Sequence, residues 1–388
     1  VKYLLRKDVK MGILPDVDPD GLLEYSVIFS DRSLNMMSMN FRQVMQDISK
    51  ELKNVYNAQS TAIVPGSGTF GMEAIARQFG NGEKCLMLRN GWFAFRFTEI
   101  FRRGQIASEV RHIFAIEKEN AEGQNIKRGY SPPPLKTIVD EILSFKPKLV
   151  YATHVETSTG IIMPDEYIKG IGEATKSIGG LFVLDCVASG SLFVDMEILG
   201  IDLLLTAPQK GWSSTPCAGV IMLNKNAREM IEKTTSSSYS CDLHKWLTVM
   251  ESYEGNNYTY HTTFPTDGLK NFRENILEIK KIGYQKTTDL QIQLGQKMRK
   301  LTEDFGYVSV AAEGYKAPTV IVNYTSEEDM KSGKKFADLG VQIAAGMPLE
   351  IGEPSDFMSF RIGLFGIDKL LNIDRTVKNF KLALEKMH

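Results

Sequence analysis

The chain has 388 residues, 43% of them hydrophobic, enough for a large core within two or three domains, or one large domain and a smaller one. Its 46 basic residues balance 47 acidic ones, so charge gives no reason to expect nucleic acid or an anionic membrane as partner. Four cysteines without C-x-x-C spacing and five histidines without H-E-x-x-H spacing argue against zinc and a disulfide framework; with no apolar run of membrane-spanning length and no secretory pattern at Val1–Lys7, the expectation is a metal-free, soluble cytoplasmic enzyme.

In chain order, Val44, Ile48, Leu52 and Val55 recur at helical spacing and predict a helix over Arg42–Tyr56. An apolar strand at Thr61–Val64 leads through Pro-Gly-Ser-Gly into a helix containing Met72, Ile75 and Phe79, and a second strand, Cys85–Leu88, ends at Asn90-Gly91. The polar segment Lys118–Pro134 reads as a surface excursion. A helix at Leu135–Phe145, a strand at Leu149–Thr153 and a helix at Asp165–Ile178 precede strands at Leu181–Leu184, Leu203–Leu205 and Gly219–Leu223. Nearly continuous apolar strands alternating with helices predict an α/β fold with a mainly parallel sheet between helices. Beyond it, one long connector helix over about Gly268–Phe305 leads to strands at Tyr307–Val310, Thr319–Tyr324, Val341–Ala345 and Ser359–Leu364 and a last helix at Asp368–Lys386. The expected organisation is an N-terminal arm and substrate loop (1–40), a large domain (41–265), and a connector with a small α+β domain (266–388).

Ligands in such sheets bind outside the carboxyl ends of the strands, and the polar motifs fall there. Gly66-Ser67-Gly68-Thr69 offers close backbone approach, hydroxyl donors and a helix N-terminus, the parts of a phosphate cradle; a plain strand–helix turn with a hydroxyl cap has the same sequence. Asp185 at the tip of Leu181–Leu184 is an acid that burial penalises unless a cation meets it, and a protonated ring nitrogen is one such cation; a helix N-cap is the other reading. About twenty residues later, Lys210 follows the Leu203–Leu205 strand between Pro208-Gln209 and Gly211, where desolvation would lower its pKa for Schiff-base chemistry. The pairing of Asp185 with Lys210 strengthens both readings.

Six segments in order, Gly66–Ala74, Thr153–Gly160, Leu184–Ser189, Pro208–Gly211, Tyr260–Thr263 and Phe360–Gly366, resemble class V of the fold-type-I pyridoxal-phosphate enzymes. The similarity runs from about Leu34 to the C-terminus and is greatest to the alanine–glyoxylate (serine–pyruvate) aminotransferase group. It implies a pyridoxal 5'-phosphate-dependent transaminase that moves an amino group from a small L-amino acid, alanine or serine-like, to a 2-oxo acid such as glyoxylate or pyruvate. It implies that Lys210 carries the cofactor and shuttles the proton, that Asp185 pairs with the ring nitrogen, and that Ser67, Gly68, Thr69 and Gln209 hold the phosphate. Thr157 would contact the oxygen side of the ring, Phe93 (or its neighbour Trp92) would stack on one face, and Val187 would pack on the other. Tyr260 and Thr263 would reach the partner's phosphate in a homodimer with shared active sites; an aromatic loop packed within its own chain is the alternative. Arg361 would grip the substrate carboxylate with its planar guanidinium.

The chain departs from many relatives in lacking a Pro-Gly-Pro loop and a His-Arg-Ser segment; the corresponding stretch carries Asp31-Arg32-Ser33. Arg32 in the pocket would meet a second carboxylate or a phosphonate, whereas an Arg32 ion pair with a nearby acid would mean nothing for substrate. Transamination of 2-aminoethylphosphonate or aspartate, and a lyase reaction, are therefore alternatives, as is a catalytically idle binder. No cysteine follows Cys241, which disfavours desulfuration; Cys186 is expected to be packed, and His154 to hydrogen-bond structurally.

Overall fold

A computed structural model of the chain describes residues 20, 22–118 and 129–387. The expectations for most of the N-terminal arm (1–19 and 21) and for the middle of the 118–134 excursion (119–128) lie outside these residues.

The core of the molecule is a seven-stranded sheet in the order Ser60–Pro65, Ala218–Leu223, Leu203–Thr206, Leu181–Asp185, Leu149–Thr153, Lys84–Arg89, Glu109–Phe114. Five of these strands run parallel to their neighbours, and Ala218–Leu223 is antiparallel to both strands beside it. Every residue of Leu149–Thr153, Leu181–Asp185, Leu203–Thr206 and Ala218–Leu223 is buried. Burial at odd and even positions alike means both faces are covered, which is why these strands read as unbroken apolar runs rather than alternating ones. The edge strand Glu109–Phe114 has exposed Glu109 and Arg111. These charges discourage pairing with another sheet, and they also hid the strand from the apolar-run reading.

Around the sheet, the helix Met39–Tyr56 begins at Ser38, whose Oγ accepts from Phe41 N at 3.1 Å, and buries the predicted stripe Val44, Ile48 and Leu52. Helices Leu135–Phe145 and Asp165–Ser177 fall where the periodicity placed them. Helices Trp92–Gly104, Lys225–Ile231 and Leu243–Glu254 are additional to the sequence reading. The single connector helix is instead two, Thr266–Ile282 and Tyr284–Asp304, because Gly283 takes φ 105°, a conformation that a helix cannot continue and that favours glycine.

A second sheet orders Val320–Tyr324, Ser359–Gly363 and Ala344–Ala345, all antiparallel. Tyr307–Val310 is not a strand: Ser309 makes only an isolated bridge to Asn323. The strand expected over Val341–Ala345 shrinks to two residues, and the last helix is divided into Ile367–Leu370 and Ile373–Met387. The 118–134 excursion is also corrected at its end. Gly129–Ser131 is a buried strand paired with Ile116–Lys118, and Tyr130 exchanges backbone bonds of 2.8 Å with Val310 and Ala312. Among the described residues no helix is long and apolar enough to cross a membrane.

The helix Gly68–Phe79 lies unusually close to the Ala218–Leu223 strand, where a Cβ on Gly219 would sit 2.8 Å from both Gly71 N and Ser67 O. Those are backbone atoms and cannot swing away. Gly219→Ala is therefore expected to destabilise the fold by about 1–3 kcal/mol, the usual cost of overpacking, measured as a lower midpoint in urea unfolding at unchanged m-value.

Candidate functional site

The carboxyl ends of the parallel strands and of Ser60–Pro65 surround a cavity of about 230 Å³. Five segments reach it. The turn after Ser60–Pro65 supplies Ser67, Gly68 and Thr69; the helix start after Lys84–Arg89 supplies Phe93 and Arg96; the loop after Leu149–Thr153 supplies Val155 and Thr157; Asp185, Val187 and Ala188 follow one strand, and Gln209 and Lys210 another. At the first of these turns Gly66 has φ 118°, in the left-handed region that admits glycine most readily.

Asp185 is 4% exposed. Its Oδ1 accepts from Val187 N at 2.9 Å and its Oδ2 from the Tyr151 hydroxyl at 2.7 Å. Burial raises its pKa to about 6; the Val187 and Tyr151 donors and Arg96 pull it down, while Glu156 pushes it up. Tyr151 is fixed in turn, its ring stacked on Phe97 with centroids 3.8 Å apart, and burial holds its phenol well above the ordinary range. No cation pairs with Asp185 among the described residues, so the carboxylate faces the cavity with acceptor capacity to spare.

Lys210 is the mirror case. Burial lowers its pKa, and Arg361 and Arg96 lower it further. Its Nζ lies 4.8 Å from the centre of the Phe365 ring, and no carboxylate pairs with it among the described residues. An amine so placed holds its proton weakly, as a nucleophile must. Gln209 presents a buried Oε1 without a hydrogen-bond partner. A Cβ on Gly68 would meet Val187 Cγ2 at 2.9 Å, so only a glycine leaves room between the turn and Val187. The hydroxyls of Ser67 and Thr69, the Gly68 backbone at a helix N-terminus and the Gln209 amide are a donor set for an anion. Asp185 suits a cationic ring nitrogen.

Of the two candidate aromatics, Phe93 lines this cavity, and Trp92 lines a neighbouring one of about 480 Å³. Arg361 stands on the second sheet, on the face opposite buried Phe360 and Ile362. Its guanidinium carbon is 5.8 Å from the Phe93 ring centre, and its Nε donates to Ala345 O at 2.8 Å. Burial lowers its pKa, and Glu156 opposes that shift. Arg32 is exposed, its backbone N–H held by Ser30 Oγ at 3.2 Å, and it does not line the cavity. Tyr260 is 49% exposed, with its hydroxyl 3.3 Å from Thr263 Oγ1, and neither residue lines the cavity of its own chain. His154 lies outside the cavity lining; its Nδ1 is 2.7 Å from Ser189 Oγ, and burial lowers its pKa to about 4. Cys186 is buried in the core.

Three residues escaped the motif reading. Arg96 lines the cavity and donates from Nη1 to Thr69 Oγ1 at 3.0 Å. Tyr151 orients Asp185. Glu156, fully buried, accepts from Phe93 N at 3.2 Å and Ala94 N at 3.0 Å. Its carboxylate thereby caps the helix Trp92–Gly104, where the helix dipole favours an anion. The helix carries its own signal, Ala94, Phe97 and Phe101 at spacings of three and four, and recognising it would have put Phe93 and Arg96 on adjoining turns.

The family model for class-V aminotransferases matches residues 126–348. The chain is 25% identical over 364 residues to alanine–glyoxylate aminotransferase of Rattus norvegicus, covering 91% of this chain and 83% of that protein. It is 26% identical over 358 residues to 2-aminoethylphosphonate–pyruvate transaminase of Bacillus cereus, covering 89% of each. Its fold matches the crystal structure of alanine–glyoxylate aminotransferase from Nostoc sp. with a TM-score of 0.74 at 22% identity, over 89% of this chain and 86% of that one.

In protein freed of any bound small molecule, the raised Asp185 pKa has a stability consequence. The folded state favours the neutral acid, so the stabilising effect is complete below the ordinary value of 3.8 and is lost as pH rises through about 6. Asp185→Asn keeps an oxygen for Val187 N and never ionises. It is expected to melt a few degrees higher than the unsubstituted protein at pH 8, with the difference vanishing at pH 4 in thermal unfolding followed by circular dichroism.

Proposed function

The chain belongs to the class-V aminotransferase family, and we propose that it is a pyridoxal-phosphate-dependent transaminase taking an amino group from a small L-amino acid, alanine or serine-like, and passing it to glyoxylate or pyruvate. The observation that carries the proposal is the meeting, in one cavity, of an unpaired buried carboxylate, an unpaired amine of lowered pKa and an uncharged anion cradle. Pyridoxal phosphate fits those three features at once. When bound, it supplies an aldehyde carbon that takes the amino group and a ring that accepts the electron pair left on the substrate carbon.

The chain's own residues do the rest. Asp185, fixed by Tyr151 and Val187, holds the positive charge of a ring nitrogen and is held ionised by it in return. Lys210, its pKa lowered by burial and the two nearby guanidinium groups, would attach the cofactor at rest. Once released, its Nζ takes the proton from the substrate α-carbon and returns it. Phe93 and Val187 would confine the ring, Thr157 would meet its oxygen substituent, and Ser67, Gly68, Thr69 and Gln209 would hold the phosphate. Arg361 grips the substrate carboxylate, which fixes the α-carbon relative to Lys210. Tyr260 and Thr263, exposed and remote from their own cavity, complete the partner's phosphate site in a homodimer.

The similarity to alanine–glyoxylate aminotransferase supports the choice of substrates. The similarity to 2-aminoethylphosphonate–pyruvate transaminase favours a second donor, though Arg32 does not enter the pocket to meet a phosphonate. A half-reaction screen with alanine, serine, aspartate and 2-aminoethylphosphonate decides between them: the visible band of the purified protein should shift on adding alanine or serine and not 2-aminoethylphosphonate, and no shift with any donor would overturn transamination. Lys210→Ala should lose the covalent visible band and essentially all turnover. Arg361→Lys, keeping charge but losing the two-pronged grip, should lower kcat/KM for the amino acid by about 10- to 100-fold, as removal of a charge-assisted contact does.

A further inference from the structure

We infer that Arg96 is the cation that balances the cofactor's phosphate, an inference that rests on the pyridoxal-phosphate reading above. The residues assigned to that phosphate, Ser67, Gly68, Thr69 and Gln209, carry no formal charge. A phosphate monoester carries about 1.5 to 2 negative charges at neutral pH, and the helix N-terminus at Gly68 offers only about half a positive charge against it. Enclosing such an anion in a site of neutral donors would cost far more than the hydrogen bonds return. A cation beside the cradle would offset that charge, and the cavity wall contains two, Lys210 and Arg96. Lys210 is reserved for covalent attachment and is driven toward its neutral form by burial.

Arg96 is placed for the task. Its Nη1 donates to Thr69 Oγ1 at 3.0 Å, which puts the guanidinium at the edge of the cradle itself. Its guanidinium carbon sits 4.9 Å from the centre of the Phe93 ring, which holds the side chain in place over the aromatic face. Asp185 shares the cavity and feels its charge without pairing with it, and two nearby glutamates are committed elsewhere. Glu73 pairs with Arg77 at 2.7 Å, and Glu99 pairs with Arg102 at 2.6 Å and Arg103 at 3.1 Å. Arg96 has no ion pair among the described residues, unlike Arg102 and Arg103 on the same helix. One Nη is used on Thr69, and further N–H groups of the guanidinium remain, in the fork geometry that matches two phosphate oxygens. The helix start that positions Arg96 is itself capped by Glu156, so the cation, the stacking ring and the Thr69 hydroxyl form one connected unit.

The test reads binding rather than turnover. Protein stripped of cofactor is titrated calorimetrically with pyridoxamine 5'-phosphate and with pyridoxamine, neither of which carries an aldehyde to react with Lys210. The unsubstituted protein is expected to prefer the phosphorylated ligand strongly. Arg96→Gln should cut that preference about 10- to 100-fold, the range of a charge-assisted hydrogen bond, while changing pyridoxamine affinity by less than about twofold; Arg96→Met serves the same purpose should the glutamine variant fold poorly, and Arg96→Lys should restore part of the preference. An unchanged preference in the neutral variants overturns the inference, and so does an equal loss for both ligands, which would mean that Arg96 only props Phe93. An unsubstituted protein with no preference for the phosphorylated ligand would overturn the cofactor reading itself, a result distinguishable from either.

Discussion

A carboxylate at the end of a wholly apolar strand is the constraint around which this molecule is arranged. Asp185 sits at the tip of a strand buried on both faces, in surroundings that would protonate a lone acid near neutrality. Two donors, Val187 N–H and the Tyr151 hydroxyl, hold its geometry without neutralising its charge. Tyr151 belongs to the neighbouring strand and is locked by stacking on Phe97 of the helix Trp92–Gly104. The sheet therefore orients the acid, and the acid creates a demand for a cation that no ion pair meets among the described residues. An unsatisfied demand of this kind is costly for stability and useful for binding.

The same helix answers the opposite need on the other side of the cavity. Its N-terminus is capped by Glu156, a second buried carboxylate, which accepts from Phe93 and Ala94 N–H and from the Ser158 hydroxyl at 2.8 Å. Burial raises the Glu156 pKa while those backbone and hydroxyl donors lower it. Two buried acids thus have separate fates. Glu156 is consumed by structure, its lone pairs spent on a helix end. Asp185 is left incomplete, and the difference lies in whether nearby N–H groups can satisfy the oxygens locally.

What the sequence disclosed follows from this arrangement. Strands such as Leu149–Thr153 and Leu203–Thr206 were legible because burial on both faces demands unbroken apolar runs. The turns after them stood out because Gly, Asp and Lys interrupt those runs. The edge strand Glu109–Phe114 was not legible, since its exposed charges imitate a loop. The helix Trp92–Gly104 was masked by aromatics on several of its faces, and with it Arg96 and Glu156 were missed. Arg96 belongs to none of the six segments, and Glu156, although it lies within Thr153–Gly160, caps a helix more than sixty residues back in the chain. Tyr307–Val310 is strand-like in composition, yet its partners come through isolated bridges, a tertiary outcome that no local pattern encodes. Arg32 is the converse case. A charged residue in an unfamiliar loop invites a functional reading, and the fold leaves it at the surface.

Arg361 stands beside the cavity, outside its lining residues and on a different sheet, and that separation bears on how the site works. The elements assigned to the cofactor stand on the ends of the large sheet and on the helices that start there. Arg361 is on a three-stranded sheet joined to the first through the two helices broken at Gly283. Its guanidinium nevertheless lies near the Phe93 ring and depresses the Lys210 amine. Any displacement of the small sheet would carry Arg361 away from Phe93 and relax its effect on Lys210 in the same movement. Under the proposed function, a substrate carboxylate bound at Arg361 would offset the charge of that guanidinium. The proton affinity of Lys210 would rise in consequence, so that on this reading carboxylate recognition and the basicity of the amine would be coupled through one arginine.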